Sequence, residues 1–336
     1  WHFYAQNNFY YCPNTSLEPQ FEVHNYVEYP AKATGNDCFS PNPSITDWYE
    51  TVKLNYGVNY TGGHHKHFDP TPDTWFKTRD ILLFWAGKQI DGFRCDMAEM
   101  VPVEFWHWVI PQVKQAFPNI IFIAEVYNPA LYRSYIFDGD FDYLYDKVGL
   151  YDQLRAVTCG TDSAAHISCS WQAVADIQPH MLNFLENHDE QRLASDFFAG
   201  DAQKGKAGMI VASCMNTNPV MIYAGQELGE RGMDAEGFSG RDGRTTIFDY
   251  WHVDTLGRWY HQGKIGNALL TSEEQELQQF YSQLLNACLH EKALSKGLFF
   301  DLMYANMEGG GLDPHRQYVF LRAYEDEAVL VIANFS

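Results

Sequence analysis

Three short apolar runs of this chain each end in a carboxylate. The run IDGFRCD ends in Asp96, IIFIAEV carries Glu125 and MLNFLENHD ends in Asp189. Neither a nucleophilic thiol in a recognisable motif nor a phosphate-binding loop accompanies them. Clustered carboxylates suit the cleavage of glycosidic bonds, in which one carboxylate attacks the anomeric carbon and a second protonates the leaving oxygen. The sequence therefore predicts glycosidase chemistry if these three residues share one site.

An arginine precedes the first of these carboxylates by two residues. In a strand, alternate side chains point to opposite faces, so Arg94 and Asp96 are expected on one face and Phe93 and Cys95 on the other. The guanidinium is then placed beside the carboxylate, where its positive charge favours the ionised form of Asp96.

The runs that carry the carboxylates alternate with segments of helical spacing. DTWFKTRDILLFWAGK, for which Asp73 is the expected N-cap, precedes the first strand, and PVEFWHWVIPQVKQAF precedes the second. SAAHISCSWQAVADI and AQKGKAGMIVASCMNT precede two later apolar runs. Helix–strand pairs of about thirty residues are typical of βαβ units with parallel strands. Because active sites of parallel β/α barrels lie at the carboxyl ends of the strands, all three carboxylates are expected at one face, and ENHDEQR is polar because it forms part of that mouth.

The two ends of the chain have a different texture. Residues 1–72 are rich in Asn, Pro, Tyr and Gly, which predicts a loop-dominated segment. Residues 73–295 carry the repeated helix–strand pattern. Residues 296–336 change to period two in QYVFLRAYEDEAVLVIANF, which predicts the start of an antiparallel β domain.

The composition of the chain disfavours some classes of binding partner. The formal net charge of −20 and the aromatic content of 16% disfavour nucleic acid and favour an uncharged partner with apolar faces, such as a neutral sugar. No apolar run reaches the length of about 18 residues that a membrane span needs, so membrane insertion is not expected.

The cysteines and a histidine cluster raise the questions of a disulfide bond and of a metal site. The seven cysteines include no CxxC pair, so most are expected to be buried thiols, while Cys12 and Cys38 are either free or paired with one another. The cluster HHKHFDP, with His64, His65 and His67, is interpreted as a solvated or substrate-facing loop in preference to a metal site.

The motifs together resemble those of the alpha-amylase family of glycoside hydrolases. DGFRCDMAEMVP is similar to the family's nucleophile motif, IFIAEV to its acid/base motif and FLENHD to its third-carboxylate motif, in the family's order. VKLNYG resembles a motif near the end of the protruding B domain, and YAGQELGE followed by GRTTIFDYW resembles the region after the eighth strand. The resemblance covers nearly the whole chain and implies a (β/α)8 barrel.

The resemblance assigns a role to each candidate site residue. Asp96 corresponds to the nucleophile, Glu125 to the general acid/base and Asp189 to the carboxylate that stabilises the distorted sugar. The other candidates are substrate-binding or supporting residues: Arg94, Asn187, His188, Tyr56 and Tyr60. The family retains the anomeric configuration, which implies an α-anomeric product. No cofactor is required for this chemistry.

The sequence departs from the family pattern at two places. No Asp-x-x-x-Asn-His motif precedes the B-like segment, so about the last five βα units of the barrel are expected here and about the first three strands are expected to be missing. Glu99 and Met100 follow Ala98 where many alpha-amylases have lysine and histidine. The missing motif supplies a ligand of the family's usual calcium site, so a structural calcium is left open without a readable site.

The resulting prediction is a retaining glycosidase, of alpha-amylase type, that cleaves α-1,4-glucosidic bonds in starch-like or maltooligosaccharide substrates through a covalent glycosyl-enzyme. Two alternatives stay open. One is a 4-α-glucanotransferase that uses the same residues, and the other is a catalytically inert family member that binds carbohydrate or a partner. An extracytoplasmic location, periplasmic or secreted, is expected by analogy with the family alone.

Overall fold

The computed structural model describes residues 1–234, 240–245, 247, 252–305 and 311–336. The chain divides into two compact units. The first comprises residues 1–126 and 130–142, and the second comprises residues 127–129 and 143–336. This division does not test the predicted domain ranges 1–72, 73–295 and 296–336, which stay predictions.

The first unit begins with the loop-dominated segment that the composition predicts. Its regular structure consists of four strands of two residues each, which pair antiparallel as β1 with β2 and β3 with β4, and a 3-10 turn at Tyr60–Gly62. These strands are β1 Tyr11–Cys12, β2 Ala31–Lys32, β3 Val58–Asn59 and β4 His65–Lys66.

Two helix–strand pairs follow in the same unit. Helix α1 spans Asp73–Ala86 and leads to β5, Gly92–Cys95, and helix α2 spans Val103–Ala116 and leads to β6, Ile121–Ala124. The two strands pair in parallel, as the sequence predicts. Helix α2 buries a stripe at helical spacing, in which Phe105, Val109, Ile110 and Val113 are inaccessible to solvent. Apolar burial of this kind is the main force that holds the helix against the strands.

The expected N-cap of α1 was wrong by one residue. Pro72 is the N-cap, with φ −59° and ψ 140°, and Asp73 is the first helical residue. There the Asp73 carboxylate accepts a hydrogen bond from Asn8 Nδ2 at 3.1 Å and lies 2.6 Å from Lys77 Nζ. Pro72 holds the extended conformation that precedes the helix. Because Asp73 is not the N-cap, its carboxylate interacts with the side chains of Asn8 and Lys77.

The second unit contributes three further parallel strands. Strand β8 pairs in parallel with β7 and with β9. The strands are β7 Tyr143–Tyr145, β8 Met181–Phe184 and β9 Val220–Met221. The helices around them are α3 Asp152–Thr158, α4 Ile167–Ala173 and α5 Gly205–Cys214. The five parallel strands of the two units, each preceded by helical segments, are the portion of a (β/α)8 barrel that the sequence predicts.

The rest of the second unit includes the predicted antiparallel module. After α6 Asp254–Trp259 and the hairpin of β10 Tyr260–His261 with β11 Lys264–Ile265 come α7 Ser272–His290 and α8 Lys292–Ser295. Strands β12 Leu298–Asp301, β13 Gln317–Tyr324 and β14 Glu327–Asn334 then form an antiparallel sheet in that order. The expected change to antiparallel strands near the C-terminal end is thereby confirmed. No helix among the described residues is long and apolar enough to cross a membrane.

Candidate active site

Arg94 joins the first two predicted catalytic carboxylates. It lies on β5, whose last residue, Cys95, is in register with Ala124 of β6, so the two strands end at the same level. Arg94 Nη1 donates a hydrogen bond to Asp96 Oδ1, and Arg94 Nη2 lies 2.8 Å from Glu125 Oε1. One guanidinium can bridge only carboxylates that are close neighbours, so the structure brings Asp96 and Glu125 together as predicted.

Glu125 is fixed by the backbone as well as by the arginine. Its Oε2 accepts a hydrogen bond from the Met97 N–H at 2.9 Å, and its own N–H donates to the Cys95 carbonyl at 3.1 Å. Met97 has a φ of 41°, in the left-handed region that side chains other than glycine rarely adopt. The chain therefore turns sharply after Asp96, and this turn directs an N–H at Glu125.

The two carboxylates differ in their access to solvent. The Asp96 side chain is 69% exposed, whereas that of Glu125 is 2% exposed. Asp96 is thus open to a substrate, while Glu125 interacts with two donors in the interior. The contacts with a guanidinium and a backbone N–H hold the Glu125 carboxylate in a fixed orientation.

The opposite face of β5 is apolar, as strand alternation predicts. Cys95 is buried, and burial raises the pKa of its thiol to about 12. Phe93 packs against Phe122 with ring centroids 5.3 Å apart. The thiol beside the carboxylate is therefore part of the core and is not a nucleophile at neutral pH.

Tyr56 and Tyr60 lie among other aromatic side chains of the first unit. The Tyr56 ring packs 4.7 Å from that of Phe105 on α2, centroid to centroid. The Tyr60 hydroxyl lies 3.3 Å from the Met100 carbonyl, and Lys53 Nζ lies 4.5 Å from the ring centroid. Burial, together with the charge of Asp37, raises the pKa of Tyr60 to about 12. Tyr60 thus reaches the segment that follows Asp96, and the sugar-binding role of both tyrosines stays a prediction.

The third predicted carboxylate, Asp189, lies in the second unit, in the loop that follows β8. His188 Nε2 is 3.2 Å from Asp189 Oδ2. Asn187 is buried, and its Oδ1 accepts hydrogen bonds from the N–H groups of Asp189 and Glu190 at 2.9 and 2.8 Å. Asn187 therefore shapes the turn that presents His188 and Asp189. That Asp189 shares a site with Asp96 and Glu125 stays a prediction.

Two functional candidates in the same loop were missed by sequence reasoning. Glu186 and Arg192 are both buried and form an ion pair with an Nη1–Oε2 distance of 2.7 Å. Opposite charges on either side of NHDEQ were a signal that could have revealed the pair. The polarity of ENHDEQR is thus only partly that of an open mouth, because Glu186, Asn187 and Arg192 are buried and form hydrogen bonds with one another or with the backbone.

The histidine cluster and the cysteines form no metal centre among the residues that the structure describes, where no group of three or more His, Cys, Asp or Glu is placed to hold a metal ion. His64, His65 and His67 are exposed. All seven cysteines are free thiols, so Cys12 and Cys38 are not paired. Only Cys95 and Cys214 are buried, so the expectation that most of the cysteines are buried was wrong.

The chain combines parallel β/α structure with an Arg–Asp–Glu cluster at the ends of two strands. These are features of the β/α-barrel glycoside hydrolases. The family profile "Alpha amylase, catalytic domain" matches residues 71–281. The chain belongs to the alpha-amylase family.

The relatives point in the same direction. The chain is 27% identical to the alpha-amylase MalA of Haloarcula japonica over 303 residues, which is 88% of this chain and 39% of that protein. It is 32% identical to an alpha-1,4-glucan:maltose-1-phosphate maltosyltransferase of Cereibacter sphaeroides over 93 residues, 26% of this chain and 16% of that one. The chain thus spans about two fifths of the length of MalA.

A solved structure shows the fold. The cyclic α-maltosyl-(1→6)-maltose hydrolase of Arthrobacter globiformis superposes with a TM-score of 0.62 at 18% identity, over 91% of this chain and 57% of that one. The predicted barrel class is confirmed by this likeness together with the parallel strands. Of the motif GRTTIFDYW, residues 246 and 248–251 lie outside the described part of the chain.

Proposed function

We propose that this chain carries the catalytic residues of a retaining glycosidase that cleaves α-1,4-glucosidic bonds in starch-like glucans or maltooligosaccharides. The observation that carries the proposal is the bridge made by Arg94 between exposed Asp96 and buried Glu125. Retaining glycosidases need two neighbouring carboxyl groups, one free to attack the sugar and one able to exchange a proton. The first unit supplies both.

In the first step Asp96 attacks the anomeric carbon, while protonated Glu125 transfers its proton to the glycosidic oxygen as the bond to the leaving sugar breaks. In the second step Glu125 takes a proton from water, the hydroxide attacks the same carbon and Asp96 is released. To serve as the acid, protonated Glu125 exchanges its contact with Arg94 for one with the glycosidic oxygen. Asp189 and His188 would hold the hydroxyls of the reacting sugar.

The substrate assignment rests on the family and on the charge of the chain. MalA is an alpha-amylase by name. A formal net charge of −20 disfavours anionic polymers and suits a neutral glucan. No cofactor is required, because two carboxylates suffice for both steps. A structural calcium and an extracytoplasmic location follow from the family resemblance alone, and both stay predictions.

The first test is reducing-sugar release from soluble starch by the wild-type protein, D96N, E125Q and D91N. Asp91 is exposed and precedes the opposite end of β5, so D91N is the matched control. We expect D96N and E125Q to lose at least about 1,000-fold in kcat, and D91N to keep full activity. If the wild-type protein releases no sugar from starch, maltooligosaccharides or branched glucans, the proposal is wrong.

An activated substrate separates the two roles. A 4-nitrophenyl maltooligosaccharide has a leaving group that departs without protonation, so E125Q should regain most of its first-step rate on it, whereas D96N should not. Proton NMR of the first product should show the α-anomer, and a β-anomer would exclude the retaining mechanism.

A 4-α-glucanotransferase is the second candidate. The 32% identity to a maltosyltransferase over 93 residues favours it, because transfer and hydrolysis differ only in whether a sugar hydroxyl or water resolves the glycosyl-enzyme. Chromatography of products from maltotetraose decides between the two. Products longer than the substrate indicate transfer, and shorter ones alone indicate hydrolysis.

A further inference from the structure

The loop between β8 and the next segment is closed at its base by a buried ion pair. Glu186 and Arg192, at the two ends of the loop, are each 1% exposed. Besides its contact with Arg192, Glu186 accepts a hydrogen bond on Oε1 from the Leu193 N–H at 2.7 Å. Both carboxylate oxygens therefore interact with the far end of the loop. We call this pair and its hydrogen bonds the Glu186–Arg192 clasp.

Arg192 extends the clasp to two other segments of the second unit. Its Nε donates to Thr245 Oγ1 at 3.1 Å, and its Nη2 donates to the Ala224 carbonyl at 2.8 Å. The guanidinium also lies 4.1 Å from the centroid of the Tyr223 ring. Arginine is suited to this task because its planar group donates in several fixed directions at once.

The outer part of the loop is held from another direction. Glu190 Oε2 accepts a hydrogen bond from the Tyr151 hydroxyl at 3.1 Å and lies 3.4 Å from Arg155 Nη1. Glu190 Oε1 lies 3.3 Å from Lys147 Nζ. His188 and Asp189 lie between this outer anchor and the clasp.

Stability alone does not explain such a pair. Removing two charges from water costs about as much as their attraction returns, so apolar side chains of similar volume would hold the fold equally well. What an apolar contact would not supply is direction, because a charge-assisted hydrogen bond fixes both the distance and the angle between its partners. The clasp thus fixes the distance and orientation of the two ends of the loop that carries His188 and Asp189.

We propose that the Glu186–Arg192 clasp is a positioning device for Asp189, which holds the carboxylate where it can grip the reacting sugar. The inference rests on the proposed function and adds two positioning residues to it. Neither residue need touch the substrate, since both act through the turn formed by Asn187, His188 and Asp189.

The experiment compares R192K with R322K. Arg322 is likewise 1% exposed, and it donates to the carbonyls of Cys214, Asn216 and Gly297, none of which belongs to the loop. Each variant keeps a cation but loses the fork. We expect R192K to lower kcat on maltooligosaccharides by about 10-fold or more with little change in KM, while R322K lowers Tm and leaves kcat unchanged.

A double-mutant cycle with D189N tests the route of the effect. If Arg192 acts through Asp189, R192K should cost less than about 2-fold in the D189N background, because the group that it positions is already lost. An equal cost in both backgrounds would overturn the inference. So would a parallel loss of Tm by R192K and R322K with no separate effect on kcat.

Hydrogen exchange separates a failure of the inference from a failure of the proposed function. The N–H groups of Asp189 and Glu190 donate hydrogen bonds to Asn187 Oδ1. Their hydrogens should exchange with solvent faster in R192K than in the wild-type protein, and at an unchanged rate in R322K. If the wild-type protein cleaves no glucan, the function is wrong, and the exchange rates still decide whether the clasp orders the loop. Unchanged exchange rates in R192K would refute the inference that the clasp orders the loop. If R192K does not fold, E186Q/R192Q takes its place, because it removes both charges together.

Discussion

Arg94 and Glu125 form an ion pair with an Nη2–Oε1 distance of 2.8 Å, made by the same guanidinium that binds Asp96. The family resemblance implies only that Arg94 orients the nucleophile. The structure shows that it also holds the buried carboxylate before substrate arrives. One cation thus sets the spacing of two groups whose separation determines the course of the reaction.

The first prediction concerns this bridge. R94K keeps the charge but cannot direct two donors at two carboxylates, so kcat should fall by about 10- to 100-fold, and R94Q should lose more. The matched control is R79K, because the Arg79 side chain is 28% exposed, against 26% for Arg94, and it pairs with Asp80 on α1. Steady-state kinetics on maltooligosaccharides checks the result. Equal losses in R94K and R79K would show that the bridge has no part in catalysis.

The second prediction concerns the start of α7. Thr271 Oγ1 accepts a hydrogen bond from the Glu274 N–H at 3.2 Å, and Glu274 Oε2 accepts one from the Thr271 N–H at 2.7 Å, which is a reciprocal capping box. T271A leaves a helix N–H without its acceptor and should lower the free energy of unfolding by about 1 kcal/mol. T271S keeps the hydroxyl and should stay close to the wild type. Urea titrations followed by circular dichroism measure the difference, and equal stability of all three proteins would rule the cap out.

Much of the fold could be predicted because the local pattern and the tertiary environment agree. The apolar run before Asp96 becomes β5, with Cys95 buried and Arg94 directed at the carboxylates, as strand alternation requires. The same holds for β6 and for the long C-terminal strands. Where a periodic pattern is also satisfied by burial, sequence reasoning reaches the right answer.

The misses have physical causes as well. The apolar run PVMIYAGQE predicts a longer strand than β9, which has only two residues. At the end of that run the chain turns at Gly225, which has a φ of 89°, and a 3-10 turn begins at Gln226. Glu186 and Arg192 were missed because charged residues are expected in solvent, and only the tertiary structure shows that they neutralise one another. The sequence therefore predicted that Asp96 and Glu125 lie together, but it did not predict the buried Glu186–Arg192 pair.

The third prediction concerns thiol reactivity. Burial raises the pKa of Cys95 to about 12, whereas a hydrogen bond from Cys214, 3.6 Å away between the two sulfurs, lowers the pKa of Cys288, with help from the positive charge of Arg322. At pH 8 iodoacetamide should modify Cys288 well before Cys95, because the thiolate is the reactive form. Mass spectrometry of tryptic peptides over time measures both rates.

A variant of the neighbouring thiol controls for exposure. C214A removes the donor and leaves Cys288 in place, so modification of Cys288 should slow. Modification of Cys95 at the rate of Cys288 in the folded protein would contradict the assignment, and so would a Cys288 rate that does not respond to C214A.

The fourth prediction concerns Asp146, which follows β7 and is fully buried. Burial raises the pKa of Asp146 from 3.8 to about 6, although the N–H groups of Leu150 and Gly149 donate to it and oppose the rise. The folded protein therefore holds this proton more tightly than the unfolded chain does. Between about pH 4 and pH 6 the folded form binds more protons, so stability falls as the pH rises through that range.

The variant D146N stays neutral at every pH and keeps an oxygen to accept from Leu150, whose N–H lies 2.9 Å from Asp146 Oδ1. Relative to D146N, the wild-type protein should lose about 2 kcal/mol of stability between pH 4.5 and pH 7.5. D146N should accordingly be the more stable protein at pH 7.5.

Comparing the stability of the variant with that of the wild type cancels the contributions of the other groups that titrate in this range. D80N, at an exposed aspartate of α1, is the matched control for the change from carboxylate to amide. A D146N difference that stays flat across the range would mean that Asp146 is ionised in the folded protein and that its burial is offset by the N–H groups around it.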